Sequence, residues 1–214
     1  MKNLLYKTIA KEAEATQIIE RSRFIAHVKP VETREEAEEY IAEIKAEYRD
    51  ATHNVPAIVI GDKSQIQWAS DDGEPQGTSG APMVQMLVKE GITNIVVVVT
   101  RYFGGIKLGT GGLVRAYTSS AKLALEEAGL CGVMEMCSIE AEIDYTYLAR
   151  FQKMSGDVFD VADLQYGEKV VMTLHANAED EVSVLGMISN ITSGSAVIKK
   201  TEKILAKKPL DINK

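Results

Sequence analysis

Cysteine is nearly absent. Cys131 and Cys137 are the two thiols in 214 residues, and neither has a histidine or a third cysteine near it, so the pattern of neither a zinc site nor a disulfide framework is present. Six positions apart on one strand, they would share a face yet sit about 20 Å from each other, beyond disulfide reach. Buried free thiols are the expectation. Long apolar runs are missing as well. Nothing approaches the ~20 residues that span a bilayer, and the opening MKNLLYKTIAKEAEA lacks the apolar core of an export signal, so no membrane association is expected and a cytoplasmic location is. No Gly-x-Ser-x-Gly elbow occurs, which removes one common nucleophile arrangement. Acidic residues are absent from one long segment, residues 91–125, although the chain as a whole carries a net charge of −7.

What is present describes an ordinary folded chain. Hydrophobic residues make up 45% and charged residues 26%, which argues against disorder. The length suits two small domains. An acidic protein has no general attraction to nucleic acid, so any such binding must come from a local patch.

Periodicity supplies the elements. Ile18, Ile19, Phe24, Ile25 and Val28 fit two strands around a turn at Glu20-Arg21-Ser22. In TREEAEEYIAEIKAEYR, Ala37, Tyr40, Ile41 and Ile44 recur at helical spacing, and Thr33 and Glu36 stand in capping-box register. A strand is expected over Val55–Ile60, with a hairpin partner over Ile66–Ala69. SDDGEPQGTSGAP reads as a loop, followed by a helix capped by Ser79 or Gly80. The run IVVVVT, residues 95–100, is continuously β-branched, as a strand covered on both faces is. It predicts a central strand that ends before Arg101. A helix with a core stripe of Leu113, Tyr117, Ala121, Ala124 and Ala128 follows. From Val133 the pattern restarts as βαββαβ, the ferredoxin-like order, with a frayed lysine-rich tail after Leu205. The expectation is an α+β chain with domains at 1–134 and 135–214.

The acid-free segment is the chemical signal. It holds Arg101, Lys107, Arg115 and Lys122, together with Gly91, Gly104, Gly105, Gly109, Gly111 and Gly112. Glycines let a backbone approach a ligand closely, and helix-start N–H groups favour anions. Arg101, Gly104, Gly105, Lys107, Gly109, Gly111, Gly112 and Arg115 are therefore the candidate anion or nucleic-acid site, with Tyr102 and Phe103 as aromatics able to stack on bases. Tight strand-to-helix packing is the competing explanation of the glycines. GGIKLGTGG matches neither the nucleoside-triphosphate loop nor the dinucleotide fingerprint, and no cofactor is expected. His53, in the polar stretch DATHN, and Asp72 and Glu74 of the acidic loop are possible accessories. That loop lacks the spacing of a calcium site, and no metal and no catalytic residue are assigned.

RSRFIAHV, THNVPA, SDDGEPQGTSGAPM and VVVTRYFGGIKLGTGGLVRAY together resemble the IMPACT family over roughly residues 15–130, and residues 135–205 resemble the ferredoxin-like domain of its bacterial members. The resemblance implies an N-terminal α/β domain similar to domain IV of elongation factor G and a C-terminal domain similar to its domain V. The resemblance implies that eukaryotic members regulate translation under amino-acid starvation by competing for an activator of a kinase of a translation initiation factor; this chain lacks their extra N-terminal domain, so that partner is not carried over. What it implies here is a translation-linked binding or regulatory protein contacting RNA, the ribosome or a translation factor. An enzyme acting on a small anionic substrate and a protein-binding adaptor are the alternatives. Oligomeric state is left open.

Overall fold

The computed structural model describes residues 4–210, and the last four positions of the lysine-rich tail lie outside them. The chain is α+β and divides into two compact units, residues 5–133 with 207–210, and residues 134–206 with Leu4. In order the elements are β1 (Leu4–Ile9), β2 (Ala13–Ile19), β3 (Ser22–Pro30), α1 (Arg34–Glu47), β4 (His53–Ile60), β5 (Ile66–Ala69), α2 (Gly80–Glu90), β6 (Ile95–Tyr102), α3 (Gly109–Ala128), β7 (Leu130–Ile143), α4 (Tyr145–Met154), β8 (Phe159–Tyr166), β9 (Val170–Asn177), α5 (Glu181–Ile191) and β10 (Val197–Pro209).

The N-terminal unit is built on an antiparallel sheet of order β2-β3-β6-β4-β5. Its central strand explains the β-branched run. Val96 and Val98, with Ile58 and Ile60 of β4, pack against Ala37, Tyr40, Ile41 and Ile44 of α1. Ile95, Val97 and Val99 face the other way, into a larger core with Phe24, Val55, Met83, Leu87, Leu113 and Tyr117. Both faces of β6 are therefore covered, so neither needs polar residues, even though the pairing is antiparallel. Helix α1 starts where its capping box predicts. Thr33 Oγ1 accepts from the Glu36 N–H at 3.2 Å, and the Glu36 carboxylate accepts from the Thr33 N–H at 3.4 Å. Strands β2 and β3 are joined by the two residues Glu20 and Arg21, both at positive φ (45° and 65°). This is the backbone of the tightest hairpins, here without the glycine that usually supplies it.

In the C-terminal unit the strand order is β10-β7-β9-β8, the ferredoxin-like arrangement. Val170, Met172, Leu174 and Ala176 of β9 alternate into a core with Ile139, Ala141, Phe151, Val184 and Ile188. Both cysteines are buried and free.

Three boundaries differ from the sequence reading. β6 continues through Arg101 and Tyr102, because both remain paired with β3, opposite Phe24 and Arg23. α3 begins at Gly109, so three glycines assigned to the loop lie in the first helical turn. β10 runs to Pro209 instead of fraying after Leu205. Just beyond the strand end the Leu210 N–H donates to Leu130 O of β7 at 2.9 Å, a long-range partner that a lysine-rich end does not reveal in sequence.

Candidate functional site

The acidic loop between β5 and α2 is held by its own side chains. β5 ends at Ala69, opposite Ala57, and the loop then serves as the outer partner of β4. The Ser70 N–H donates to Pro56 O at 3.3 Å, and the Asn54 N–H donates to Asp72 Oδ2 at 2.7 Å. Asp72 also pairs with Lys45 of α1 at 2.6 Å. Its neighbour Asp71 turns the other way and caps α2. It accepts from Ser79 Oγ (2.6 Å) and from the backbone N–H groups of Gly77, Ser79 and Gly80 (2.7, 3.2 and 3.0 Å). Burial acts to raise the Asp71 pKa, but these four donors outweigh it and hold the carboxyl below its ordinary 3.8. A depressed carboxylate contributes stability that is complete above the unfolded value and disappears as pH falls through the folded one. Unfolding midpoints in urea should therefore drop below about pH 4, and Asp71→Ala should cost about 1–2 kcal/mol at neutral pH, as helix caps do, with a shallower acid decline. An acid profile identical in the variant would exclude this role.

Glu74 enters the protein from the same loop. Its side chain is 4% exposed and meets Arg101, 5% exposed, with Arg101 Nη1 donating to Oε1 at 2.5 Å. Tyr117 of α3 donates its hydroxyl to the same oxygen at 2.8 Å. Burial, reinforced by the charge of Glu74 and this bond, pushes the Tyr117 pKa far up, so the phenol stays a donor. Arg101 Nη2 donates to Ser22 Oγ at 3.2 Å, and Ser22 Oγ also accepts from the Gly104 N–H at 3.2 Å. The Arg101 Nε–H is buried and has no partner among the described residues. His53, opposite Arg101 across β4 and β6, places Nδ1 2.8 Å from the Asp72 carbonyl. A carbonyl only accepts, so Nδ1 carries the hydrogen, and Nε2 lies 3.9 Å from Glu74. Of the three accessory residues, Glu74 meets Arg101 directly and His53 stands opposite it across the sheet, while the Asp72 carboxylate is turned to Lys45 and the Asn54 N–H.

The predicted cations separate into two classes. Arg101 is not an outward loop cation but the last inward member of the Ile95, Val97, Val99 stripe, its charge matched by Glu74. Lys122 pairs with Glu90 at 2.6 Å. Lys107 and Arg115 are exposed and make no ion pair among the described residues. Lys107 stands just before α3 and Arg115 in its second turn; the N-cap of that helix, Leu108, has no side-chain hydrogen bond, and its first turn contains no acid.

The glycines also differ from one another. A Cβ on Gly104 would lie 2.0 Å from Arg21 O, so close packing on the β2–β3 hairpin requires this glycine. Gly105 and Gly109 have φ of +85° and +71°. Gly112 faces Leu108 Cβ at 3.1 Å. Gly111 has neither positive φ nor any neighbour within 4 Å, and packing gives no reason for it.

Two clefts flank the Ile106–Leu108 segment. One, about 380 Å³, is lined by Glu74, Pro75, Arg101, Phe103, Lys107 and the first turn of α3. The other, about 480 Å³, includes Glu20, Lys107, Gly112 and Arg115. His53 lines neither. Ser22 and Tyr117 act as polar anchors of Arg101 and Glu74, a role that the S-R-F pattern and a tyrosine in an apolar helix stripe signal only weakly in sequence. Among the described residues no three His, Cys, Asp or Glu side chains are grouped to hold a metal ion.

The Impact N-terminal domain family matches residues 20–125. A Bacillus subtilis protein, IMPACT family member YvyE, is 38% identical over 198 residues, 92% of this chain and 91% of the relative. IMPACT family member YigZ of Escherichia coli is 38% identical over 140 residues, 64% of this chain and 69% of its own. A solved structure described as a hypothetical protein aligns with a TM-score of 0.57 at 29% identity, over 90% of this chain and 95% of that one. Likeness to the Bacillus subtilis protein along nearly the whole length of both chains makes this chain a member of the IMPACT family.

Proposed function

We propose that the protein is a translation-linked regulatory or binding protein that contacts RNA, the ribosome or a translation factor through the surface at the start of α3. The observation that carries this reading is the pair of unpaired cations, Lys107 and Arg115, beside an acid-free, glycine-lined helix N-terminus. Helix-start N–H groups and uncompensated cations together favour phosphate. The resemblance to a family whose eukaryotic members regulate translation supports the connection to translation. No helix among the described residues is long and apolar enough to cross a membrane, and the reading invokes no cofactor.

Arg101 is unsuitable for charge reversal, because Arg101→Glu would set two carboxylates together in a buried site. The test is Lys107→Glu with Arg115→Glu, both exposed. Affinity for a single-stranded RNA should fall at least tenfold, with unchanged thermal melting. The slope of log K against log salt should shrink by about 0.7 per lost phosphate contact. RNA and ribosome binding absent even at low ionic strength would overturn the nucleic-acid reading. Co-purification of a stoichiometric protein partner that survives nuclease and high salt would select the adaptor alternative.

An enzyme acting on a small anionic substrate has one specific observation in its favour, the concavity beside the glycine segment. Against it, no nucleophile among the described residues lies within hydrogen-bond distance of His53 Nε2, whose nearest partner is Glu74 at 3.9 Å.

A further inference from the structure

We propose that two copies of this protein pair through the outer edge of β10, antiparallel about a two-fold axis at Thr201, so that the C-terminal sheet continues from one protomer into the other.

Among the described residues β10 pairs with β7 alone, so along its other side every second residue offers its backbone N–H and C=O to an incoming strand. The stretch Val197–Leu205 lies within the C-terminal unit. Every residue from Val197 to Lys203 is exposed, and so is Leu205. The apolar ones are open to an unusual degree, Val197 by 47%, Ile198 by 41% and Leu205 by 62%. Natural sheet edges avoid such side chains or guard them with lysine. Here the guard is cancelled. Lys199, Lys203 and Lys200 are each matched by a carboxylate of their own chain, Glu142, Glu135 and Glu202, at 2.9, 3.0 and 2.8 Å, and little net charge remains to repel a second strand.

The sequence of the edge says which strand fits. Val197-Ile198-Lys199-Lys200-Thr201-Glu202-Lys203-Ile204-Leu205 has nearly the same character read in either direction. Laid antiparallel on itself with Thr201 at the axis, it sets Val197 opposite Leu205, Ile198 opposite Ile204, Lys200 opposite Glu202 and Thr201 opposite Thr201. Apolar, opposite-charge and Thr–Thr pairs are those that stabilise an antiparallel ladder. The one like-charge pair joins Lys199 to Lys203, the two lysines already held by glutamates of β7. Moving the axis by one residue either way sets Lys200 or Glu202 against its own copy and apolar residues against charged ones. A two-fold contact uses each favourable pair twice, whereas a strand of foreign sequence needs no such palindrome. Nine residues a side make a small interface beside the ~800 Å² per partner of a stable complex, so the dimer is concentration-dependent.

Sedimentation of the full chain over a wide range of concentration tests this, with circular dichroism and melting to confirm that each variant is folded. Wild type should pass from monomer to dimer. Glu202→Lys and Lys200→Glu, both at exposed positions, should each weaken association about tenfold or more, since the lost pair and the new repulsion count twice. Lys200→Glu combined with Glu202→Lys exchanges the charges and should restore the dimer. Thr201→Cys fixes the register. Its two copies would stand about 5 Å apart between Cα atoms, within disulfide reach, while those of Val197→Cys would be about 26 Å apart, eight residues at about 3.3 Å each. Oxidation should therefore cross-link the first variant and not the second. A chain that stays monomeric at every concentration overturns the inference. So does a dimer that Glu202→Lys leaves unchanged, or one that cross-links at Val197→Cys and not at Thr201→Cys. A different protein bound stoichiometrically to the monomer and lost in Glu202→Lys would assign the edge to a foreign strand and overturn it as well.

Discussion

Arg101→Ala is expected to lower folding stability by about 3–5 kcal/mol, because it removes one partner of a buried ion pair and leaves the other charged. Glu74 and Arg101 are 4% and 5% exposed. Without the guanidinium, Glu74 retains a single neutral donor, Tyr117, and Ser22 loses one of its two links to β6 and the segment after it. The intact pair is worth much less than its rupture costs, since desolvation of both ions offsets most of their attraction. A double replacement, Arg101→Met with Glu74→Leu, should therefore recover a large part of the loss, and the two changes should be strongly non-additive. Urea unfolding of wild type, both single variants and the double variant measures this. A loss below about 1 kcal/mol in Arg101→Ala, a surface-pair value, would show that the pair is hydrated in solution.

Gly104→Ala should cost about 3 kcal/mol, the upper end for inserting a methyl group into a packed site. The atoms in its way are all backbone, namely Arg21 O at 2.0 Å, Arg21 C at 2.1 Å and Ser22 N at 2.6 Å. No side-chain rotation relieves such a clash. The hairpin would have to retreat, but it is already a two-residue turn with both residues at positive φ, and Ser22 binds it to Gly104 and Arg101. Gly111→Ala is the contrasting case, with no steric conflict and a helical position. It should be neutral or stabilise by up to about 0.5–1 kcal/mol, the difference in helix propensity. If Gly111→Ala melts higher and also binds RNA less well, the glycine serves close approach of a ligand. Thermal melts of the two variants decide between packing and approach for each glycine separately. Equal behaviour of the two would contradict the distinction drawn between them.

Local pattern carried the sequence reading a long way. Helix α1 and its capping box, the buried centre of the N-terminal sheet and the βαββαβ order after residue 133 all follow from interactions between residues a few positions apart, which periodicity records. The glycine-rich entrance to α3 was visible for the same reason. What that entrance contains was not. Four cations in an acid-free segment look alike in a count of charges, yet Arg101 is neutralised by Glu74, 27 positions away, and anchored to Ser22, 79 positions away, while Lys122 is matched by Glu90. Of the four, only Lys107 and Arg115 are exposed and make no ion pair among the described residues. Spacing did hold one clue. Arg101 has the same parity as Ile95, Val97 and Val99, so a strand extended by two residues would have pointed it inward.

Pairing between distant residues depends on strand register and on where a loop crosses a sheet, and neither is encoded in any short window. The acidic loop shows this most clearly. Asp71, Asp72 and Glu74 are nearly adjacent in the chain, but one caps α2, one joins α1 to β4 and one is buried against Arg101. Their residue types announced a polar turn. Their three separate roles arise because the loop replaces β5 as the partner of β4 and so passes, within four residues, a helix N-terminus, a strand edge and the end of a hydrophobic core.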